Sequence, residues 1–220
     1  MGDPAPSGDP TPLARRLRLI VITDPDMIGA RDLSDVVDAA LSAGAPAIQL
    51  RAKGASAREL YEVGQQLLPS VRASGALFFV NDRTDVALAL GADGVHVGPD
   101  DLPVARLRAA VPRGFLIGAS TDDPEQAARL VSDGATYIGC GTVYPTASKA
   151  DAGSVIGLEG LDRVARSVDV PVVGIGGIDA GRSAEVAGTA AAGIAVISAV
   201  MAAPDPGAAV ISLLRPWADR

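Results

Sequence analysis

The sequence is poor in the residues that usually announce a function. It has one cysteine, Cys140, so no disulfide can form within the chain and a reducing cytoplasm is the default expectation. Only 3% of its residues are aromatic. Its core must therefore draw on Ala, Val, Leu and Ile, which suits parallel strands buried on both faces under small-residue helices. No apolar run reaches the ~20 residues that a membrane helix needs. Lys and Arg form no block and the formal net charge is −7, which argues against a nucleic-acid footprint. The N-terminal residues are rich in Asp, Pro and Gly and lack the apolar segment of a signal peptide. Residues 1–16 are expected to be a disordered lead-in, and residues 17–220 a single domain.

Scarcity also marks individual polar residues. Lys53 and Lys149 are the only lysines, Asn81 the only asparagine and His96 the only histidine. Both lysines fall just after predicted strands, where loops carry function on a rigid scaffold.

What is present is a rhythm. Short apolar runs alternate with amphipathic stretches about eight times, the count a TIM barrel needs. The runs predict strands over Leu17–Thr23, Ala47–Arg51, Leu77–Asn81, Gly94–Val97, Phe115–Ser120, Tyr137–Gly141, Pro171–Gly176 and Gly193–Ser198. Helices are predicted over Leu33–Ser42, Ala57–Ser70, Thr84–Leu90, Val104–Ala110, Pro124–Ser132, Leu158–Ser167, Arg182–Gly188 and Ala208–Leu214. Ser56 with Glu59 reads as a capping box, and Asp123-Pro124-Glu125 as a capped helix start. A doubly wound open sheet gives a similar pattern. The α/β class and a single (β/α)8 barrel are favoured because each strand is followed by a helix and polar residues collect after strands.

In such a barrel the loops after the strands meet at one mouth. Gln49, Arg51 and Lys53 follow strand two, with Gln49 and Arg51 on one face by alternation. Together they suit an anion with several oxygens, although a rim salt bridge is the plainer alternative. Asp82 follows strand three, and Asp100 and Asp101 follow strand four. A carboxylate pair beside a cationic patch fits a Mg2+-diphosphate site, since Mg2+ takes one or two carboxylates, waters and phosphate oxygens. Helix capping is the alternative for both Asp82 and Asp101. Thr146, Ser148 and Lys149 follow strand six in a Gly- and Pro-rich loop whose stretch to Gly157 could act as a flap. Gly176-Gly177 follows strand seven and Ser198 closes strand eight, the pair of positions where barrels often bind phosphate. His96, inside an apolar strand, reads as a packed, hydrogen-bonded core group, Cys140 as core, and Arg83 as an ion-pair partner at the mouth.

Taken together, Ile48-Gln-Leu-Arg-Ala-Lys53, Val80-Asn-Asp-Arg83, Ala92-Asp-Gly-Val-His-Val-Gly98 with Asp101, Gly118-Ala-Ser-Thr121, Tyr144-Pro-Thr-Ala-Ser-Lys149, Ile175-Gly-Gly-Ile178 and Val196-Ile-Ser-Ala199 resemble the thiamine-phosphate synthase (thiamine-phosphate pyrophosphorylase) family in order and over nearly the whole chain. The resemblance implies a transferase of thiamine biosynthesis that joins 4-amino-5-hydroxymethyl-2-methylpyrimidine diphosphate to hydroxyethylthiazole phosphate. It implies that Gln49, Arg51, Lys53, Asn81 and Lys149 hold the pyrimidine diphosphate, and that Asp82 and Asp101 ligate Mg2+. Ser120 would contact the pyrimidine. Thr146, Ser148, Gly177, Ile197 and Ser198 would hold the thiazole phosphate. Arg51, Lys53, Ser120 and Lys149 make up the implied catalytic set. In that family the diphosphate ionises first and the thiazole nitrogen attacks the resulting cation.

The chain departs from the family's usual residues at Pro99 (usually Gln), Ser148 (usually Thr) and Tyr144 (commonly Phe). A thiazole tautomerase on the same barrel is the nearest alternative, but those relatives carry a histidine after the fifth-strand serine, where this chain has Asp122. A non-catalytic phosphate-ligand sensor is a third reading. Its phosphate site would need no carboxylate pair opposing two lysines. The substrates expected are small molecules; a homo-oligomer is possible on this reading, and neither nucleic acid nor membrane is expected as a partner.

Overall fold

The computed structural model describes residues 11–146 and 154–218. Eight parallel strands close into one barrel in chain order: β1 (Leu19–Ile22), β2 (Ala47–Leu50), β3 (Leu77–Asn81), β4 (Gly94–Val97), β5 (Leu116–Ser120), β6 (Tyr137–Cys140), β7 (Val172–Ile175) and β8 (Gly193–Val196). The expected (β/α)8 barrel is therefore the architecture. The helices are α1 (Pro12–Arg16), α2 (Leu33–Ser42), α3 (Ala57–Ser74), α4 (Thr84–Leu90), α5 (Val104–Ala110), α6 (Pro124–Ser132), α7 (Gly157–Arg166), α8 (Ala180–Ala187), α9 (Ser198–Met201) and α10 (Pro206–Leu214).

Local chemistry sets the helix ends. The Ser56 hydroxyl accepts from the Glu59 N–H while the Glu59 carboxylate accepts from the Ser56 N–H, so the predicted capping box closes and also holds the Glu59 carboxyl below its usual range. Asp123 caps α6 through the Gln126 N–H, with Pro124 in the first turn. The sequence reading ended α3 at Ser70. Its apolar stripe, Leu60, Gly64, Leu67 and Val71, runs on through Pro69, and the helix stops where Gly75 turns left-handed. The lead-in reading also needs correction. Pro12–Arg16 form a helix with Thr11 accepting from the Ala14 N–H, and Pro12 suits the first turn because its missing N–H costs nothing there.

The barrel strands are almost wholly buried, and the few aromatics are among the largest buried side chains: Trp217, Tyr137, Phe78 and Phe79. Each such burial stabilises by about 1.5–3 kcal/mol. Phe79 meets Tyr137 edge-on inside the barrel, with ring centroids 5.4 Å apart. Beyond β8, Trp217 donates from its indole N–H to Ser183, which donates to the Leu213 carbonyl, tying the C-terminal turn to α8. Among the described residues, no helix is long and apolar enough to cross a membrane.

Candidate active site

The strands were expected to run further than they do, and the residues they lose are the ones that form the mouth. Arg51, Gly141, Gly176 and Ser198 all leave the ladder. They line a cavity of about 520 Å³ with Asn81, Asp82, His96, Asp101, Ser120, Thr146, Gly177 and Ile197. Every strand after β1 sends its C-terminal end or following loop to this wall. Lys53 stands exposed on the turn it forms with the left-handed Gly54 and is not among the residues that line the cavity. Gln49 lies deeper, inside the barrel, bonded to Tyr137. Ser148 and Lys149 lie outside the described residues.

The basic side of the mouth is organised by a residue that sequence reasoning missed. Arg51 Nη1 donates to Asp24 Oδ2 at 2.9 Å, with side-chain exposures of 14% and 8%. Asp24 also accepts from the Asp26 N–H, and Thr23 bonds both the N–H and the carbonyl of Arg51. The loop after β1 thus aims the guanidinium. Part of the salt-bridge alternative for Arg51 holds, yet the same side chain still lines the cavity.

The acidic side is stranger than expected. Asp82 has φ of 60°, the one described non-glycine residue in the left-handed region. Its neighbours close a three-residue turn around it, with the Arg83 N–H donating to the Asn81 carbonyl at 2.6 Å. Asp tolerates this conformation better than most residues, but strain of this kind gathers at functional sites. Neither capping alternative survives. The N-cap residues are Arg83 for α4 and Pro103 for α5, and neither helix start has a side-chain cap. Asp101 instead accepts from the Gly98 N–H at 2.8 Å, tightening its own loop at the cavity wall. Arg83 is an ion-pair partner, but of Asp85 in the first turn of the adjoining α4 rather than of a group across the mouth.

Asp82, Asp100 and Asp101 all line the cavity, and their carboxylates are hard oxygen donors. No cluster of three or more His, Cys, Asp or Glu able to cage a metal occurs among the described residues. That donor set fits Mg2+, which keeps waters and takes phosphate oxygens, better than it fits an ion held wholly by protein.

The loops after β6 and β7 are sewn together. The Val143 and Tyr144 N–H groups donate to the Ile175 and Gly176 carbonyls, at 2.9 and 3.0 Å. Gly177, at φ 62°, lies so close that a Cβ there would meet the Pro145 oxygen at 2.6 Å. Arg182 donates to the Gly177 carbonyl at 2.6 Å and stacks 4.6 Å from the Tyr144 ring centre. The Tyr144 hydroxyl donates to Glu185, and its pKa is pushed up to about 12 by burial and then by that carboxylate. The extra oxygen at this commonly Phe position therefore has a partner. Gly177→Ala adds both left-handed strain, about 1–2 kcal/mol, and a clash with two loop carbonyls. If the thiazole phosphate is held here, as the resemblance implies, calorimetric titration with it should show affinity lowered at least tenfold, about 1.4 kcal/mol.

His96 was read as a hydrogen-bonded core residue. It is hydrogen-bonded, but it also lines the cavity: Nδ1 meets the Tyr137 hydroxyl and Nε2 meets Ser120 Oγ, each at 2.9 Å. A signal for this lay in the register, because His96 pairs with Gly118 and Ser120 with Gly139. Cys140 is core as expected. Burial, with some help from Asp122, pushes its thiol up to about 12, so it is no nucleophile.

A closed parallel barrel with a polar cavity at the C-terminal ends of its strands defines a (β/α)8-barrel enzyme with a small-molecule site. Residues 19–200 match the family model described as thiamine monophosphate synthase. The chain is 48% identical to a thiamine-phosphate synthase of Roseiflexus castenholzii, covering 99% of this chain and 97% of that one. It is 48% identical to a thiamine-phosphate synthase of Pyrococcus furiosus over 88% of this chain and 91% of that protein. A solved thiamine phosphate pyrophosphorylase from Pyrococcus furiosus superposes with a TM-score of 0.85 at 46% identity, covering 93% and 96% of the two chains. The chain belongs to the thiamine monophosphate synthase family.

Proposed function

We propose that this chain condenses 4-amino-5-hydroxymethyl-2-methylpyrimidine diphosphate with hydroxyethylthiazole phosphate, releasing pyrophosphate and thiamine phosphate. The observation that carries the reading is a single cavity lined both by Asp82, Asp100 and Asp101 and by an Arg51 guanidinium paired with Asp24. In this reading Arg51 and Asn81, with Lys53 and Lys149 brought in from their loops, hold the diphosphate. Gln49 supports the pyrimidine side from below, and Ser120 touches the ring. Thr146, Ser148, Gly177, Ile197 and Ser198 hold the thiazole phosphate. Asp82 and Asp101 would hold Mg2+, which when bound supplies positive charge to the leaving diphosphate.

Charge builds on that diphosphate as the carbon–oxygen bond breaks, so fixed cations stabilise the transition state more than the ground state. The cation left behind reacts with water, and a dry mouth protects it until the thiazole nitrogen attacks. No nucleophilic side chain is required, which agrees with an inert Cys140. The catalytic unit is read as the barrel of residues 17–220, working in the cytoplasm on small molecules; a homo-oligomer fits this reading.

The test is release of pyrophosphate by the purified protein. We expect release only with both substrates and Mg2+. Isomerisation of a thiazole substrate alone would favour the tautomerase, and pyrimidine diphosphate binding indifferent to Mg2+ would favour the sensor.

A further inference from the structure

The floor of the cavity carries a chain of polar groups whose hydrogen atoms can be placed in order. Tyr137 is fully buried, and burial drives its phenol far above the ordinary range, so it keeps its proton. The Gln49 side chain is the phenol's second polar neighbour, and its amide N–H is set on the phenolic oxygen because a phenol that keeps its proton still has lone pairs to accept with. The phenolic hydrogen then points at its other neighbour, His96 Nδ1, 2.9 Å away. A nitrogen that accepts carries no proton, so the neutral imidazole holds its hydrogen on Nε2. That N–H is directed at Ser120 Oγ, also at 2.9 Å. Having accepted there, the Ser120 hydroxyl has its own hydrogen to give, and Ser120 lines the cavity.

The scaffold is built around this chain. A Cβ on Gly118 would lie 2.2 Å from Tyr137 Cζ and 2.4 Å from His96 Nδ1, and one on Gly139 would lie 2.8 Å from His96 Cε1. Two strands therefore give up a side chain where the ring and phenol pass. The His96 and Tyr137 rings pack against each other with centroids 5.4 Å apart. We propose that His96 and Tyr137 are positioning residues that hold the Ser120 hydroxyl as a hydrogen-bond donor toward the cavity, so that the site takes its pyrimidine through an acceptor ring nitrogen. The ligand half of this proposal rests on the functional reading above; the proton order does not.

Because His96 is the chain's only histidine, 15N-histidine labelling reports one residue without assignment. At neutral pH the ligand-free wild type should show a proton on Nε2 and a bare Nδ1. A proton on Nδ1, or on both nitrogens, overturns the order. Tyr137→Phe removes the group that donates to Nδ1. Its histidine spectrum should shift toward a mixture of tautomers, and its affinity for the pyrimidine diphosphate should fall about tenfold with thiazole phosphate affinity unchanged. An unchanged histidine spectrum in that variant overturns the role of Tyr137.

The ligand half is read with two analogues of the pyrimidine diphosphate, each with one ring nitrogen replaced by C–H. One of them should bind wild type about tenfold more weakly than the parent, and Ser120→Ala should abolish the difference. Equal binding of all three by wild type overturns acceptor recognition. A wild type that binds none of the three sinks the functional reading and the ligand half with it, while the spectrum still decides the proton order.

Discussion

Asp101→Asn should lower kcat for pyrophosphate release by roughly a hundredfold or more, the scale on which removing one preorganised electrostatic contact usually acts. Asn is the informative replacement. Its side-chain oxygen can still accept from the Gly98 N–H, the bond Asp101 makes in the structure, so the loop need not move. What is lost is the negative charge that would hold Mg2+. Binding of the thiazole phosphate, expected at Gly177 in the loop after β7, should change less than twofold. Asp101→Ala removes the Gly98 bond as well and should add a loss of about 1 kcal/mol in stability, visible as a lower Tm. If Asp101→Asn weakens thiazole phosphate binding as much as it slows turnover, the carboxylate serves the loop and not the metal.

How much of this was legible follows from where the information sits. The barrel could be read because each strand is a short apolar run closed by Gly, Pro or Asp, and the helix starts carry their caps in adjacent residues. The strand ends were overrun for a physical reason. Arg51 and Ser198 continue the alternation or apolarity of their strands, and only the ladder shows that they have left it. Ser198 in fact opens α9, a helix of four residues that is too short for any periodicity to betray it. The site residues on strand ends could be found because each acts from its own loop. Asp24 and Tyr137 could not, because their meaning lies in partners distant along the chain: Arg51 for one, His96 and Gln49 for the other. Strands buried on both faces also hide which residues point into the barrel, since apolar and inward no longer coincide.

The Asp24–Arg51 pair yields the second large effect. Asp24→Ala leaves a guanidinium only 14% exposed without its carboxylate. Breaking such a pair from one side costs about 3 kcal/mol or more, because the remaining charge stays away from water. For a chain of this size that corresponds to a Tm lower by roughly 10 °C. It also frees Arg51 from the orientation proposed for the diphosphate, so KM for that substrate should rise along with the stability loss. Asp24→Asn separates the two effects: an amide oxygen can still accept from Arg51 and from the Asp26 N–H, so most of the stability should return. The double variant Asp24→Ala/Arg51→Met removes both charges from the pocket and should regain stability relative to Asp24→Ala while remaining inactive. Should the double variant instead release pyrophosphate at near the wild-type rate, Arg51 has no part in the chemistry and the pair serves only to join the first two loops of the barrel.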